Sequence, residues 1–248
     1  MVITSHDNAK IAEIVKLSQK KYRKQLRRYF IEGARLVHDA IAHGAKVVGV
    51  YVAESAAPNF NFDGQVVVAD KVFAKISDTV NSQGVLAVVE MVEDSFQKPT
   101  GNCLVLDGLQ DPGNVGTLIR TAAACGFSDI YAANCVDLYS PKVLRSAMSA
   151  HFCVNLHELE SIEQAFSLLD SAEIVCADMG GRDVFEAKFA QKVALVLGNE
   201  GNGLSDYSKT HASRTVALPM ANGFESLNVA VAGSVIMYQI FSQSNIRR

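Results

Sequence analysis

No stretch of this 248-residue chain approaches the about 18 uninterrupted apolar residues that a membrane-spanning helix needs. The opening residues carry Thr4, Ser5, His6, Asp7 and Asn8 where a secretory leader would need an apolar run, so a cytoplasmic protein is expected. Cysteine is sparse. Cys103, Cys125, Cys135, Cys153 and Cys176 are odd in number and widely spaced, with neither a C-x-x-C pair nor a Cys/His cluster at metal-ligand spacing. They read as reduced core thiols, and no metal is expected. The G-x-G-x-x-G dinucleotide fingerprint and the P-loop are both missing, which argues against a nicotinamide or nucleotide-binding enzyme. There is no internal repeat and no low-complexity segment.

What is present is ample core material, 49% apolar residues against 20% charged, enough for one large domain or two modest ones. The net charge of −3 is unevenly spread. Residues 1–35 hold nine basic side chains against Asp7, Glu13 and Glu32, leaving that segment at +6 and the remainder at −9. Lys20, Lys21, Arg23, Lys24, Arg27 and Arg28 are its densest part, with Tyr22, Tyr29 and Phe30 interleaved. Cations to neutralise phosphates beside aromatic rings for stacking suit an RNA-binding element. A solvated basic helix face fits the same residues.

The first third reads as a small α/β unit. Helices are expected over about residues 8–18 and 33–43, strands over 46–53, 65–69 and 84–91, and a short helix from Asp70 to Ser77. Residues 93–102 turn polar around Pro99 and Gly101 and are expected to link residues 1–92 to residues 103–248. Thereafter apolar β runs (103–106, 130–133, 152–156, 174–177, 193–197, 215–218) alternate with helical patterns (115–125, 141–150, 162–169 and 227–241). Continuous apolar strands alternating with helices predict an α/β fold: a parallel sheet with helices on both faces.

In such sheets ligands lie beyond the carboxyl ends of strands, and three loops there stand out. The first, Asp107-Gly108-Leu109-Gln110-Asp111-Pro112-Gly113-Asn114, runs into a helix bearing Arg120. The second, Leu197-Gly198-Asn199-Glu200-Gly201-Asn202-Gly203, has three glycines that allow close backbone approach to a ligand. The third runs from Leu218-Pro219-Met220 to Glu225-Ser226-Leu227-Asn228 and opens the last helix. Simpler readings stay open: a tight glycine turn, and helix caps at Asn114, Ser226 or Asn228. Arg120 is harder to explain so, because a guanidinium near a core needs a partner.

Together these loops resemble the SpoU, or TrmH-like, branch of the SPOUT RNA methyltransferases. Asn114, Gly116 and Arg120 match its first motif; Gly198, Glu200, Gly201 and Gly203 match its second. Pro219, Met220, Ser226, Leu227, Asn228 and Val229 match its third. Ser140 to Arg145 and Ala150-His151-Phe152 resemble the segment between the first two. The match covers residues 103–245. Residues 1–92, with Phe30-Ile31-Glu32-Gly33 as landmark, resemble less specifically the ribosomal-protein-like substrate-binding domain of several rRNA methyltransferases, which tips the basic segment toward RNA.

The resemblance implies a C-terminal trefoil knot, which periodicity cannot predict. It implies S-adenosylmethionine among Leu197, Gly198, Gly201, Leu218, Met220 and Leu227, with Leu218 and Leu227 sandwiching the adenine. It also implies transfer of a methyl group to a ribose 2′-hydroxyl, in rRNA or alternatively tRNA, and a homodimer formed through the knotted domain. Arg120, Asn114, Glu200, Ser226 and Asn228 would be the catalytic set, Arg145 would join the basic segment in holding RNA, and no role falls to Glu225. A SPOUT-fold RNA binder without catalysis is the contrasting reading, weakened because every motif residue is present.

Overall fold

The computed structural model describes residues 2–93, 96–223 and 225–246. Two compact units divide the chain: the first runs to Glu93 and takes in Tyr139–Arg145, and the second holds the rest.

The first unit contains β1 (Val2–Ile3), α1 (Ala9–Leu17), α2 (Lys20–Leu26), β2 (Arg28–Glu32), α3 (Ala34–Ala42), β3 (Val47–Ala53), β4 (Val66–Val68), α4 (Asp70–Ile76) and β5 (Val85–Glu90). Its sheet is mixed, ordered β1-β4-β3-β5-β2, with β5 antiparallel to both β2 and β3. Asn8 caps α1, its side-chain oxygen accepting from the Lys10 amide (3.0 Å), and Ile11, Ile14 and Leu17 form the buried stripe. Strand β2 was not anticipated. Charges flank its Tyr-Phe-Ile run, and it is pairing with β5 that makes a strand of it. Glu32 at its end gathers the Oγ–H groups of Ser77, Ser82 and Thr79 at 2.6 Å each and the Asp78 amide at 2.9 Å. Burial pushes its pKa up, but these four donors outweigh that and hold it below the usual carboxylate range.

The second unit is built on β6 (Cys103–Asp107), α5 (Pro112–Ala124), β7 (Asp129–Ala133), α6 (Pro141–Ala147), β8 (Asn155–Leu159), α7 (Ile162–Ser167), β9 (Glu173–Asp183), β10 (Val193–Gly198), α8 (Asp206–His211), β11 (Arg214–Ala217) and α9 (Val229–Ile246); α6 begins within the segment that belongs to the first unit. Six strands pair in parallel in the order β11-β9-β10-β6-β7-β8. β6, β7 and β10 are buried along their whole length, as continuous apolar strands in a covered sheet should be. Cys103, Val105, Ala194 and Val196 pack toward α7, while Leu118 of α5 and Leu197 of β10 meet Gly233 of α9 on the other face.

Several elements differ from the sequence expectation. Helix α8 was missed, being a single polar turn capped by Ser205. The strand expected at 152–156 starts at Asn155, because Phe152 ends a 3-10 turn. β9 is far longer than the expected four residues: it pairs with β11 at Val175–Cys176, leaves register over residues 177–181, and pairs again at Arg182–Asp183. Gly181 permits the return, since a Cβ there would lie 2.4 Å from the backbone of Val216. The thiols are not all in the core either; Cys153 is exposed and Cys135 half-buried.

Candidate active site

The register that sets Gly198 beside Asp107 brings the carboxyl ends of β10 and β6 together, and the two motif loops leave the sheet side by side. Asn199 and Gly203 exchange two backbone hydrogen bonds of 2.9 Å, closing the second loop on itself. The Asn199 side chain accepts from the amides of Gly201 (2.9 Å) and Asn202 (3.0 Å) and donates to the Gly108 carbonyl (2.7 Å). A Cβ on Gly198 would sit 2.4 Å from the backbone of Gly203 and Leu204, so glycine is required there by the loop itself.

Glu200 fastens the second loop to the first. Its carboxylate accepts from the amides of Asp111 (3.0 Å) and Gln110 (3.1 Å) and from Asn114 Nδ2 (3.1 Å). Burial works to raise its pKa, but these donors prevail and hold it below the usual range, so the staple is ionic at neutral pH. Asn114 Oδ1 in turn accepts from Asn228 Nδ2 (2.9 Å), linking all three loops through Glu200, Asn114 and Asn228. Asn114 is not the cap of α5. Asp111 caps it, accepting from the Asn114 amide at 2.8 Å. Asn228 does cap α9, its Oδ1 accepting from Ala230 (2.9 Å) and Val231 (3.2 Å).

The second and third loops border a cleft of about 890 Å³. Its walls come from the out-of-register stretch of β9, from residues 197–204, 216–220 and 225–229, and from Ala232 and Ile236 of α9. Leu197, Gly198, Gly201, Leu218, Met220 and Leu227 all line it, as do Glu200, Ser226 and Asn228. Met220 and Leu227 are 37% and 46% exposed, large apolar side chains left open to solvent at its rim. Phe224 lies outside the described residues. The lining carries Asp178, Asp183, Glu200 and Glu225 and, among the described residues, no lysine or arginine.

Arg120 is absent from that lining. It stands exposed on α5, and the expected core partner is not found among the described residues. α5 turns Val115, Leu118, Ile119 and Ala122 inward and Arg120 outward. The basic segment also sorts differently from expectation. Arg23 is 4% exposed and donates to the Leu17 carbonyl (2.6 Å), which removes it from any RNA-facing set. Arg28 pairs with Glu13 (2.7 Å), Arg145 with Asp78, and Arg27 donates to the Val92 carbonyl (2.9 Å). Lys20, Lys21 and Lys24 remain exposed, whereas Tyr29 and Phe30 are buried and Tyr22 alone of the three rings reaches solvent. Burial pushes the thiols of Cys125 and Cys135 up to about 11 and that of Cys176 up to about 12, leaving none of them a nucleophile at neutral pH.

Residues 101–238 match the model of the SpoU rRNA Methylase family, and residues 8–87 that of the MRM3-like substrate binding domain. The chain belongs to the SpoU rRNA methylase family. An uncharacterized tRNA/rRNA methyltransferase of Synechocystis sp. is 34% identical, over 96% of this chain and 92% of its own length. The 23S rRNA (guanosine(2553)-2′-O)-methyltransferase RlmP of Bacillus subtilis is 28% identical, over 96% and 98%. Among solved structures, the AdoMet-bound rRNA methyltransferase from Sinorhizobium meliloti superimposes with a TM-score of 0.84 at 28% identity, covering 96% of both chains.

Sequence reasoning passed over Asn199 and the wall formed by residues 177–181. Asn199 carried a readable signal, since Asx residues fold back onto amides two and three positions ahead. The wall carried none, because it exists only where β9 leaves register.

Proposed function

We propose that this chain transfers a methyl group from S-adenosylmethionine to a ribose 2′-hydroxyl of RNA, with ribosomal RNA as substrate. The observation that carries the reading is one cleft bordered by the family's second and third motif loops, apolar along its walls and acidic in its charge, with the first motif loop tied to both through Glu200 and Asn114. S-adenosylmethionine has an adenine to bury and a sulfonium and an ammonium to balance, and the residues present fit it: Leu218 and Leu227 for the ring, carboxylates for the cationic portion. A phosphate-bearing cofactor would be repelled. When bound, the cofactor supplies a methyl carbon for in-line displacement by the 2′-oxygen. Arg120, exposed on α5, clamps the target's phosphate or the developing alkoxide. Ser226 holds the ribose, and Asn228 and Asn114 keep the third loop in register with the first.

Residues 1–92 serve as the RNA-binding domain, residues 93–102 as linker and residues 103–248 as catalytic domain, a division supported by the separate spans of the two family models. The loops after β10 and β11 form the trefoil knot of the fold, and a second copy of the chain covers the exposed Val231, Val235 and Tyr238 of α9. The protein works in the cytoplasm; no helix among the described residues is long and apolar enough to cross a membrane. No group of His, Cys, Asp and Glu among them is placed to hold a metal. The RlmP relative acts on 23S rRNA, which supports rRNA over tRNA here. The test is a map of ribose methylation in total RNA with and without the gene, alongside calorimetric titration with S-adenosylmethionine. One missing rRNA methyl group together with measurable cofactor binding is expected; an unchanged map with no binding sinks the reading.

A further inference from the structure

Asp107 ends β6 directly beside Gly198, yet it touches neither the cleft nor the Glu200–Asn114–Asn228 link. Its carboxylate is 8% exposed and concentrates its bonding on one oxygen. Oδ2 accepts from the Ser205 amide (2.9 Å), Ser205 Oγ (2.7 Å) and Ser208 Oγ (2.7 Å). Ser205 follows Leu204, where the second loop ends, and also caps α8, accepting from the Ser208 amide. A buried carboxylate is costly unless such donors meet it, and without it the same donors lose their acceptor. The loop above it contains Gly201 and Gly203, residues that lose much conformational freedom on ordering. Glu200 and Asn199 fasten the middle of the loop; Asp107 fastens its exit.

We propose that Asp107 is a positioning residue for the cofactor: through Ser205 and Ser208 it pins the exit of the Gly198–Leu204 loop, so that the cleft is ordered before the methyl donor arrives. A loop ordered in advance spends less of its binding energy on immobilisation, so the effect falls on cofactor affinity and not on the methyl-transfer step. The inference rests on the reading of the cleft as the S-adenosylmethionine site.

Three variants of the full-length protein test it, each measured for S-adenosylmethionine Kd, for KM and kcat, for thermal midpoint, and for amide exchange at Gly201–Leu204 without ligand. Asp107→Asn is expected to raise Kd and KM about tenfold, and Ser208→Ala about threefold, with kcat at saturating cofactor changed less than about threefold. Exchange at Gly201–Leu204 should quicken in both. The control is Asp129→Asn. Asp129 is likewise buried and bonded, by Ser128 Oγ (2.6 Å) and Asn155 Nδ2 (2.9 Å) with His157 Nε2 at 3.4 Å, but it opens β7 at the amino ends of the strands, away from the cleft. It should lower the thermal midpoint and leave Kd unmoved. Wild-type affinity in both Asp107→Asn and Ser208→Ala overturns the proposal, and so does an equal loss in Asp129→Asn. Should Asp107→Asn not fold, Ser208→Ala decides by the same criteria. If the wild type binds no S-adenosylmethionine, the reading of the cleft fails, and the ligand-free exchange decides the tether alone: quickened exchange upholds it and unchanged exchange overturns it.

Discussion

Arg120 stands exposed on α5, on the side away from the packed Val115, Leu118, Ile119 and Ala122. A guanidinium amid Leu118, Ile119, Ala122 and Ala123 suggested a buried pair, but helical periodicity turns it away from those neighbours and into solvent. An exposed arginine with no partner among the described residues contributes little to stability, so Arg120→Ala should leave the thermal midpoint unshifted and the S-adenosylmethionine Kd within a few-fold of wild type while abolishing methyl transfer. Equal loss of binding and turnover would make it a structural residue. His151 makes the opposite case. Burial drives its pKa down to about 4, only partly offset by its bond to the Leu138 carbonyl (2.8 Å). The unfolded chain therefore binds a proton that the folded chain refuses between about pH 6.5 and 4, and stability falls as pH drops through that window, by about 3 kcal/mol in all. Denaturant titrations at pH 7 and pH 4.5 check this, and His151→Gln should flatten the difference; an undiminished slope in that variant assigns the acid sensitivity to other groups.

At the scale of elements, the RNA-facing charge we propose for α2 reduces from six expected cations to the exposed Lys20, Lys21 and Lys24, with Arg27 beside them. Replacing the three lysines with alanine should weaken RNA binding and flatten its dependence on log salt by about 0.7 to 0.9 for each phosphate no longer neutralised, with cofactor affinity unchanged. A slope identical to wild type would place the RNA elsewhere. The sequence could not tell Arg23 from Lys24, since both belong to a basic run, and only the turn of α2 buries one. Strand β2 and helix α8 were illegible for a related reason: each is short, and neighbouring elements decide its conformation. Helix α1 and the largely apolar β6 and β10 were legible to within a residue at each end, and α5 except for its first turn.

At the scale of the whole molecule, two further outcomes are expected. The acidic cleft should favour the cationic donor over the neutral product, so rising ionic strength should weaken S-adenosylmethionine binding more than S-adenosylhomocysteine binding; matched salt responses in calorimetry would count against that electrostatic role. Sedimentation should show a dimer at micromolar concentration that Tyr238→Glu converts to monomer, and a monomeric wild type removes the partner from α9. Strand and helix alternation were enough to determine the parallel α/β sheet, and the three motifs, through their resemblance to the family, indicated the family and the expected cofactor residues that line the cleft. These are properties of local pattern, written in residue type and interval. The tertiary structure alone decided which cations reach solvent, that Gly198 makes room for its own loop, that Glu200 and Asn228 meet on Asn114, and that Asp107 lies beneath Ser205 and Ser208. Gly198 apart, whose neighbours Gly203 and Leu204 belong to the same loop, each of these depends on two segments some 86 to 114 residues apart, or on the inward turn of a helix, and contact at that separation is set by packing.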